Sequence, residues 1–185
     1  MPSRGILFIL LATLSFSVMN VLAKDLSELH PMQVVFFRTL GTFAFIFPYM
    51  LYHGISVIGH QPMWLSLRAL VGVISLSTFV LALQTVPLGS AISIRYLGPI
   101  FGSGLAWYFL RERIYPGQWL SFLLAFSGVL VLKGFDWRID AYNLVLLLIS
   151  AFFVGAVFVL IRFLTAREHF LTIINYFMVF GMVAG

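Results

Sequence analysis

Apolar runs long enough to cross a bilayer follow one another along almost the whole chain, and they constrain its fold more than any other feature. A transmembrane helix needs about 20 predominantly apolar residues. Runs near this length lie at residues 5–23, 34–52, 64–84, 88–110, 117–133 and 142–164, and a seventh begins near residue 170. The segments between them are too short to hold a soluble domain. The sequence therefore predicts an all-α integral membrane protein, a polytopic helix bundle.

The composition excludes the soluble protein classes. Of the 185 residues, 62% are hydrophobic and 9% are charged, whereas a soluble domain carries about 25% charged residues. The net charge is +5, but the basic residues stand singly between apolar runs. They form no patch, so they indicate membrane topology rather than a nucleic-acid partner. Cysteine is absent, which excludes disulfides and cysteine-ligated metal. Because most of the residues are hydrophobic, the first predicted partner is the lipid bilayer.

The basic residues also predict an orientation, because cytoplasmic loops carry more Lys and Arg than outer loops. A cytoplasmic N-terminus places six arginines inside and three basic residues outside. The inner residues are Arg4, Arg68, Arg111, Arg113, Arg162 and Arg167, and the outer ones are Lys24, Lys133 and Arg138. We therefore expect the N-terminus in the cytoplasm.

Two helical hairpins resemble each other in the order of their features. In residues 10–37 an apolar run leads to Lys24, a short polar turn and His30, and in residues 147–177 a similar run leads to Arg162, a turn and His169. Because an odd number of spans separates them, the second hairpin would be inverted, as in many secondary transporters. The alternative is that any two hydrophobic hairpins look alike.

Residues 65–133 carry a series of features in a specific order. They are Arg68 opening the third run, Pro87 in the following turn, "LGPIF" with Pro99, "FLRER" with Glu112, and "GVLVL" after Gly128. In this order and spacing the chain resembles the EamA-type branch of the drug/metabolite transporter superfamily.

The resemblance implies two inverted repeats of five helices and secondary transport of a small metabolite, by export or uptake, in a bacterial inner membrane. Residues 1–140 would form the first repeat, and residues 141–185 would begin the second. Since the family pattern needs ten helices, we expect the chain to be a fragment that lacks the last three.

Two arginines are left over from this topology count and lie within predicted spans, Arg38 in the second and Arg95 in the fourth. A charge at the bilayer centre costs about 2.5–3.5 kcal/mol on insertion scales, so such residues usually face a cavity or a partner. Guanidinium groups suit carboxylate and phosphate. We expect both arginines to attract an anionic or zwitterionic metabolite during alternating access. The alternative is that both snorkel towards headgroups or loop acids such as Asp25. The family resemblance does not assign either residue.

Four further residues complete the predicted site. Tyr96 could stack on a ligand, and Asn20 could add hydrogen bonds. Pro99 removes a helical hydrogen bond and can kink the fourth span, where it would act as a hinge together with Gly98. Gly98 also begins a small-xxx-small pattern with Gly102 that allows close helix packing.

The sequence offers little for other functions. No apolar run contains an acidic residue, so an intramembrane Asp or Glu proton carrier is absent from this portion, and Glu112 is expected to pair with its flanking arginines. The four histidines lie in loops without a second ligand at helical spacing, which predicts neither a metal site nor a cofactor. No hydrolase, metalloprotease or nucleotide-binding motif occurs. We therefore predict no enzyme. A non-transporting packing or assembly subunit is the alternative, and a homodimer is one option for the assembly.

Overall fold

A computed structural model describes residues 2–26, 28–111, 116–135 and 140–185. Within these residues all regular elements are α-helices. They are α1 (Pro2–Asp25), α2 (Pro31–Tyr52), α3 (Pro62–Thr85), α4 (Leu88–Arg95), α5 (Gly98–Leu110), α6 (Pro116–Phe135), α7 (Ala141–Thr165) and α8 (Phe170–Ala184). Helices α1, α2, α3 and α7 are long and apolar enough to span a membrane. The predicted all-α polytopic membrane fold is confirmed. The expectations on Glu112, Arg113 and Arg138 fall outside the described residues.

α3 is the central helix of the bundle, and it packs against α2, α4, α7 and α8. Buried residues recur along its whole length, from Leu65 to Leu83, and Phe79 and Leu83 belong to the main hydrophobic core that α2, α4 and α7 share. A helix with so wide a buried surface is expected to pack against several others. α3 therefore positions the residues of its neighbours.

Small residues hold α7 close to two other helices. The Ser75 hydroxyl of α3 donates to the Ser150 carbonyl of α7 at 2.9 Å, and the Ser150 hydroxyl donates to the Ser75 carbonyl at 2.8 Å. On α5, Gly98 and Gly102 face Gly155 of α7, where an added Cβ would lie 2.5 Å from the Gly102 nitrogen. A side chain at Gly155 would therefore force α5 and α7 apart.

The apolar run at residues 88–110 forms two helices, α4 and α5, instead of one continuous span. Pro99 has no N–H, so the carbonyl of Arg95 lacks its helical donor. The Leu97 N–H bonds instead to the Ile94 carbonyl, three residues back, at 3.0 Å. Tyr96 follows the last residue of α4, and Gly98 begins α5. The regular α-helical hydrogen bonding is thus interrupted immediately after Arg95.

The two similar hairpins begin their second helices in the same way. His30 caps α2 by accepting the Met32 N–H at 3.3 Å, and His169 caps α8 by accepting the Leu171 N–H at 3.3 Å. α2 and α8 run antiparallel, since Gly181 packs on Thr39 while Gly185 lies beside the start of α2. An inverted repeat requires this arrangement; the division of the chain into repeats stays a prediction.

Candidate functional site

The structure brings together the two arginines that the sequence predicts as substrate ligands. Arg95 ends α4, and its guanidinium carbon lies 4.1 Å from the centroid of the Phe79 ring on α3. Arg38 on α2 is close enough to Arg95 for the two positive charges to repel each other. Both arginines are half-buried. We call these two side chains the Arg38–Arg95 pair.

The pair is held by packing rather than by opposite charge. Among the described residues, neither arginine has an ion-pair partner. The contact between Arg95 and the Phe79 ring stabilises one guanidinium by about 0.5–2 kcal/mol, depending on how far it is desolvated. Like charges in a partly desolvated site repel each other more strongly than in water. The arrangement therefore favours an anion that neutralises both groups.

Asn20 lies on α1 one turn before Lys24, so the two side chains share a helix face. The Lys24 ammonium donates to the carbonyls of Leu83, Gln84 and Val86 at 2.8, 3.1 and 2.8 Å. These contacts turn that face towards the C-terminal end of α3. Asn20 is half-buried. It lies about 6 Å further than Lys24 from the C-terminal end of α3, towards the level of Phe79.

The other predicted residues lie at the break between α4 and α5. Tyr96 follows Arg95 directly, but 72% of its surface is exposed and Arg95 alone is stacked on Phe79. Pro99 is exposed in the first turn of α5. Gly98 is buried, and an added Cβ there would lie 2.5 Å from Cγ1 of Val154 on α7. Within the described structure, Gly98 is therefore a packing contact, and the hinge at Gly98 and Pro99 stays a prediction.

Sequence reasoning missed the role of Lys24, which it treated only as a topology signal. The last four carbonyls of a helix have no partner within it, and a cation there also interacts favourably with the helix dipole. Lys24 supplies this cation to α3 from another helix. The turn at Pro87 follows the end of α3. It was the available sequence signal, because it indicates that a helix with unpaired carbonyls ends there.

At the opposite end of α3, three side chains fasten the loop before the helix. Glu168 Oε1 accepts the N–H groups of His60 and Gln61 at 2.7 and 2.6 Å. The Thr172 hydroxyl donates to the Ser56 carbonyl at 2.7 Å, and the Tyr176 hydroxyl donates to the Ile58 carbonyl at 2.9 Å. We call Glu168, Thr172 and Tyr176 the Glu168 clamp. The sequence analysis did not predict this clamp, because its partners are up to 118 residues apart.

Arg68 is the second residue whose environment the sequence did not reveal. It was counted among the inner basic residues, but it lies inside α3 and only 8% of its surface is exposed. Its guanidinium carbon lies 4.9 Å from the centroid of the Phe177 ring on α8. Within the described residues, its Nε and Nη1 atoms have no hydrogen-bond partner. A basic residue near a helix start usually marks topology, so only packing distinguishes Arg68.

Three cavities in the described structure are lined mainly by apolar residues and contain none of these arginines. Their volumes are about 480 Å³ between α3, α5 and α7, about 470 Å³ between α5, α6 and α7, and about 400 Å³ between α2 and α8. No group of three metal-ligating side chains occurs in the described part of the chain. Among the described residues, the groups best suited to bind a polar ligand are the guanidinium groups next to aromatic rings.

Comparison with known sequences places the chain in a family. The EamA-like transporter family matches residues 3–133. The chain belongs to this family. It is 31% identical over 176 residues to the pseudopaline exporter CntI of Pseudomonas aeruginosa, which covers 94% of this chain and 62% of that protein. It is 30% identical over 129 residues to an S-adenosylmethionine uptake transporter of Rickettsia felis, which covers 69% of this chain and 44% of that protein.

A human relative, solute carrier family 35 member G1, is 28% identical over 133 residues, 71% of this chain and 36% of that protein. The chain thus spans less than two thirds of the length of these relatives. No solved structure matches it. The family and these relatives are transporters rather than enzymes, and the helices make the chain a multi-pass membrane protein.

Proposed function

We propose that this chain belongs to a carrier that moves a small anionic or zwitterionic metabolite across the bacterial inner membrane by alternating access. The Arg38–Arg95 pair binds the anionic group of that metabolite. The observation behind this proposal is the pair itself: two guanidinium groups close enough to repel each other, one stacked on a core ring, without a carboxylate partner among the described residues.

The chemistry of the pair favours a carboxylate or a phosphate. Both groups are planar or multidentate acceptors that match the donor fork of arginine. Each hydrogen bond to a charged group contributes about 1.5–3 kcal/mol. Two relatives are named as an exporter and an uptake transporter of different metabolites. We therefore propose the charge of the substrate and leave the direction of transport open.

Snorkelling is the alternative explanation for these arginines, and the geometry of Arg95 argues against it. A snorkelling side chain extends towards the headgroups, whereas the Arg95 guanidinium lies on Phe79, whose surface is 1% exposed. The same contact speaks against a plain packing subunit, because burying an uncompensated charge for packing alone is costly. A cytoplasmic N-terminus would place the pair in the outer half of the membrane.

The test is a transport screen of the full-length carrier in liposomes with organic acids, amino acids, nucleotides, sugars and amines. We expect an anionic or zwitterionic substrate. For it, Arg95→Gln and Arg38→Gln should raise KM about 10- to 100-fold, the loss of a charged hydrogen bond. Arg167→Gln is the matched control, because exposed Arg167 also lies over a ring, 4.7 Å from the Phe163 centroid. Transport of only neutral or cationic compounds, or equal KM in all three variants, would refute the proposal.

A further inference from the structure

Arg68 presents unused hydrogen-bond donors in a buried position. Its surface is 8% exposed, and its Nε and Nη1 atoms lack partners within the described residues. A buried polar group without a partner costs about 1–3 kcal/mol, and more when it is charged. Most buried polar groups in native proteins are hydrogen-bonded, so an exception calls for a missing partner. An anion is the partner that guanidinium donors prefer.

The surroundings of Arg68 repeat those of Arg95. Each guanidinium lies over a phenylalanine ring, Phe177 for Arg68 and Phe79 for Arg95. On the same side of α3, Gly72 lets the Phe177 ring approach the helix backbone beside Arg68, because an added Cβ would lie only 3.0 Å from the ring and 3.7 Å from Nη1 of Arg68. On α8, the Asn175 side-chain oxygen is also buried without a partner among the described residues.

Arg68 and Phe79, the ring that Arg95 contacts, lie in opposite halves of α3. Phe79 follows Arg68 by eleven residues, which corresponds to about 16 Å along the helix axis. The Arg38–Arg95 pair thus lies towards the Lys24 end of α3, and Arg68 lies towards the Glu168 end. A substrate that crosses the membrane beside α3 would pass both levels.

We propose that Arg68 is a second binding station, which receives the carboxylate or phosphate group of the substrate when the carrier opens at the Glu168 end. This proposal rests on the proposed function, since it assumes the same anionic substrate. A free inorganic anion, carried in exchange, could occupy Arg68 by the same chemistry, and the experiment must separate these two sources.

The test measures transport by the full-length carrier from each side, in vesicles of known orientation. We expect Arg68→Gln to raise KM about ten-fold or more for substrate offered at the Glu168 end and less than two-fold at the Lys24 end. Arg95→Gln should show the reverse, and Arg167→Gln should change neither. Equal KM changes on both sides for Arg68→Gln would overturn the second station. Loss of the Arg95→Gln effect alone would count against the proposed function instead.

A second measurement uses the unmodified carrier, in case Arg68→Gln does not fold. Phenylglyoxal modifies accessible arginines, and mass spectrometry quantifies the reaction at each position. We expect Arg68 to react in the free carrier and to be protected at least five-fold by the transported substrate, with Arg167 unprotected. Equal protection by inorganic phosphate alone would identify a co-transported anion and overturn the substrate assignment. No reaction at Arg68 with or without substrate would show that no ligand reaches it.

Discussion

The two ends of α3 are both capped by a charge from another helix or turn, but the caps are built differently. At the N-terminal end, the Glu168 side chain is 1% exposed, and hydrogen bonds from Thr172 and Tyr176 hold the same loop. At the C-terminal end, Lys24 is half-buried and comes from α1, whose side chains at residues 5–18 are all exposed within the described bundle. Each sign matches the helix dipole.

The difference shows which contacts would have to break during transport. The Glu168 clamp joins the loop between α2 and α3 to α8 and the turn before it, and these elements belong to different predicted repeats. Lys24 joins α1 to α3, which belong to the same predicted repeat. In the proposed alternating-access cycle, opening at the Glu168 end therefore breaks the clamp, while the Lys24 contacts move with α3 as a unit.

Replacing the clamp carboxylate should have the largest effect on stability. Glu168→Ala leaves the His60 and Gln61 N–H groups without their acceptor, and we expect it to lower the free energy of unfolding by about 3 kcal/mol. Glu168→Gln keeps an acceptor oxygen but loses the charge, so it should cost about half as much. Denaturant titration of the full-length carrier in micelles measures both. Equal stability of the two variants and the wild type would show that the clamp contributes nothing.

Much of the fold could be predicted because hydropathy is a local property. The run predicted at residues 64–84 lies within α3, which extends from Pro62 to Thr85. Pro99 indicated a kink, although the helix already ends at Arg95.

Long-range packing explains what the sequence could not show. No local pattern distinguishes Glu168 from other loop acids, because its partners lie 107 and 108 residues earlier. Arg68 was counted as a topology signal, but in the structure it is buried and contacts Phe177 of α8. No local pattern encodes which helices become neighbours, so both environments required the structure.

Replacing Lys24 should have a smaller effect than replacing Glu168. Lys24→Met removes all three hydrogen bonds to the end of α3, but water can reach carbonyls at this half-buried position. We therefore expect a loss of about 1–2 kcal/mol in the free energy of unfolding. Lys24→Arg keeps the charge and should recover most of it. The same titration measures these variants, and a larger loss for Lys24→Met than for Glu168→Ala would reverse the order of the two ends.

The smallest predicted effect concerns the edge of the clamp. Tyr176→Phe removes one exposed hydrogen bond to the Ile58 carbonyl, which contributes about 0.5–1.5 kcal/mol. If the clamp opens as a unit, the amides of His60 and Gln61 should exchange with deuterium about 2- to 10-fold faster, although Tyr176 does not contact them through a hydrogen bond. Tyr52→Phe, at a tyrosine that is 87% exposed, is the matched control and should leave their exchange unchanged. Unchanged exchange in Tyr176→Phe would mean that Glu168 holds its two amides independently, so that the Glu168 end is a single cap like the Lys24 end rather than a cooperative clamp.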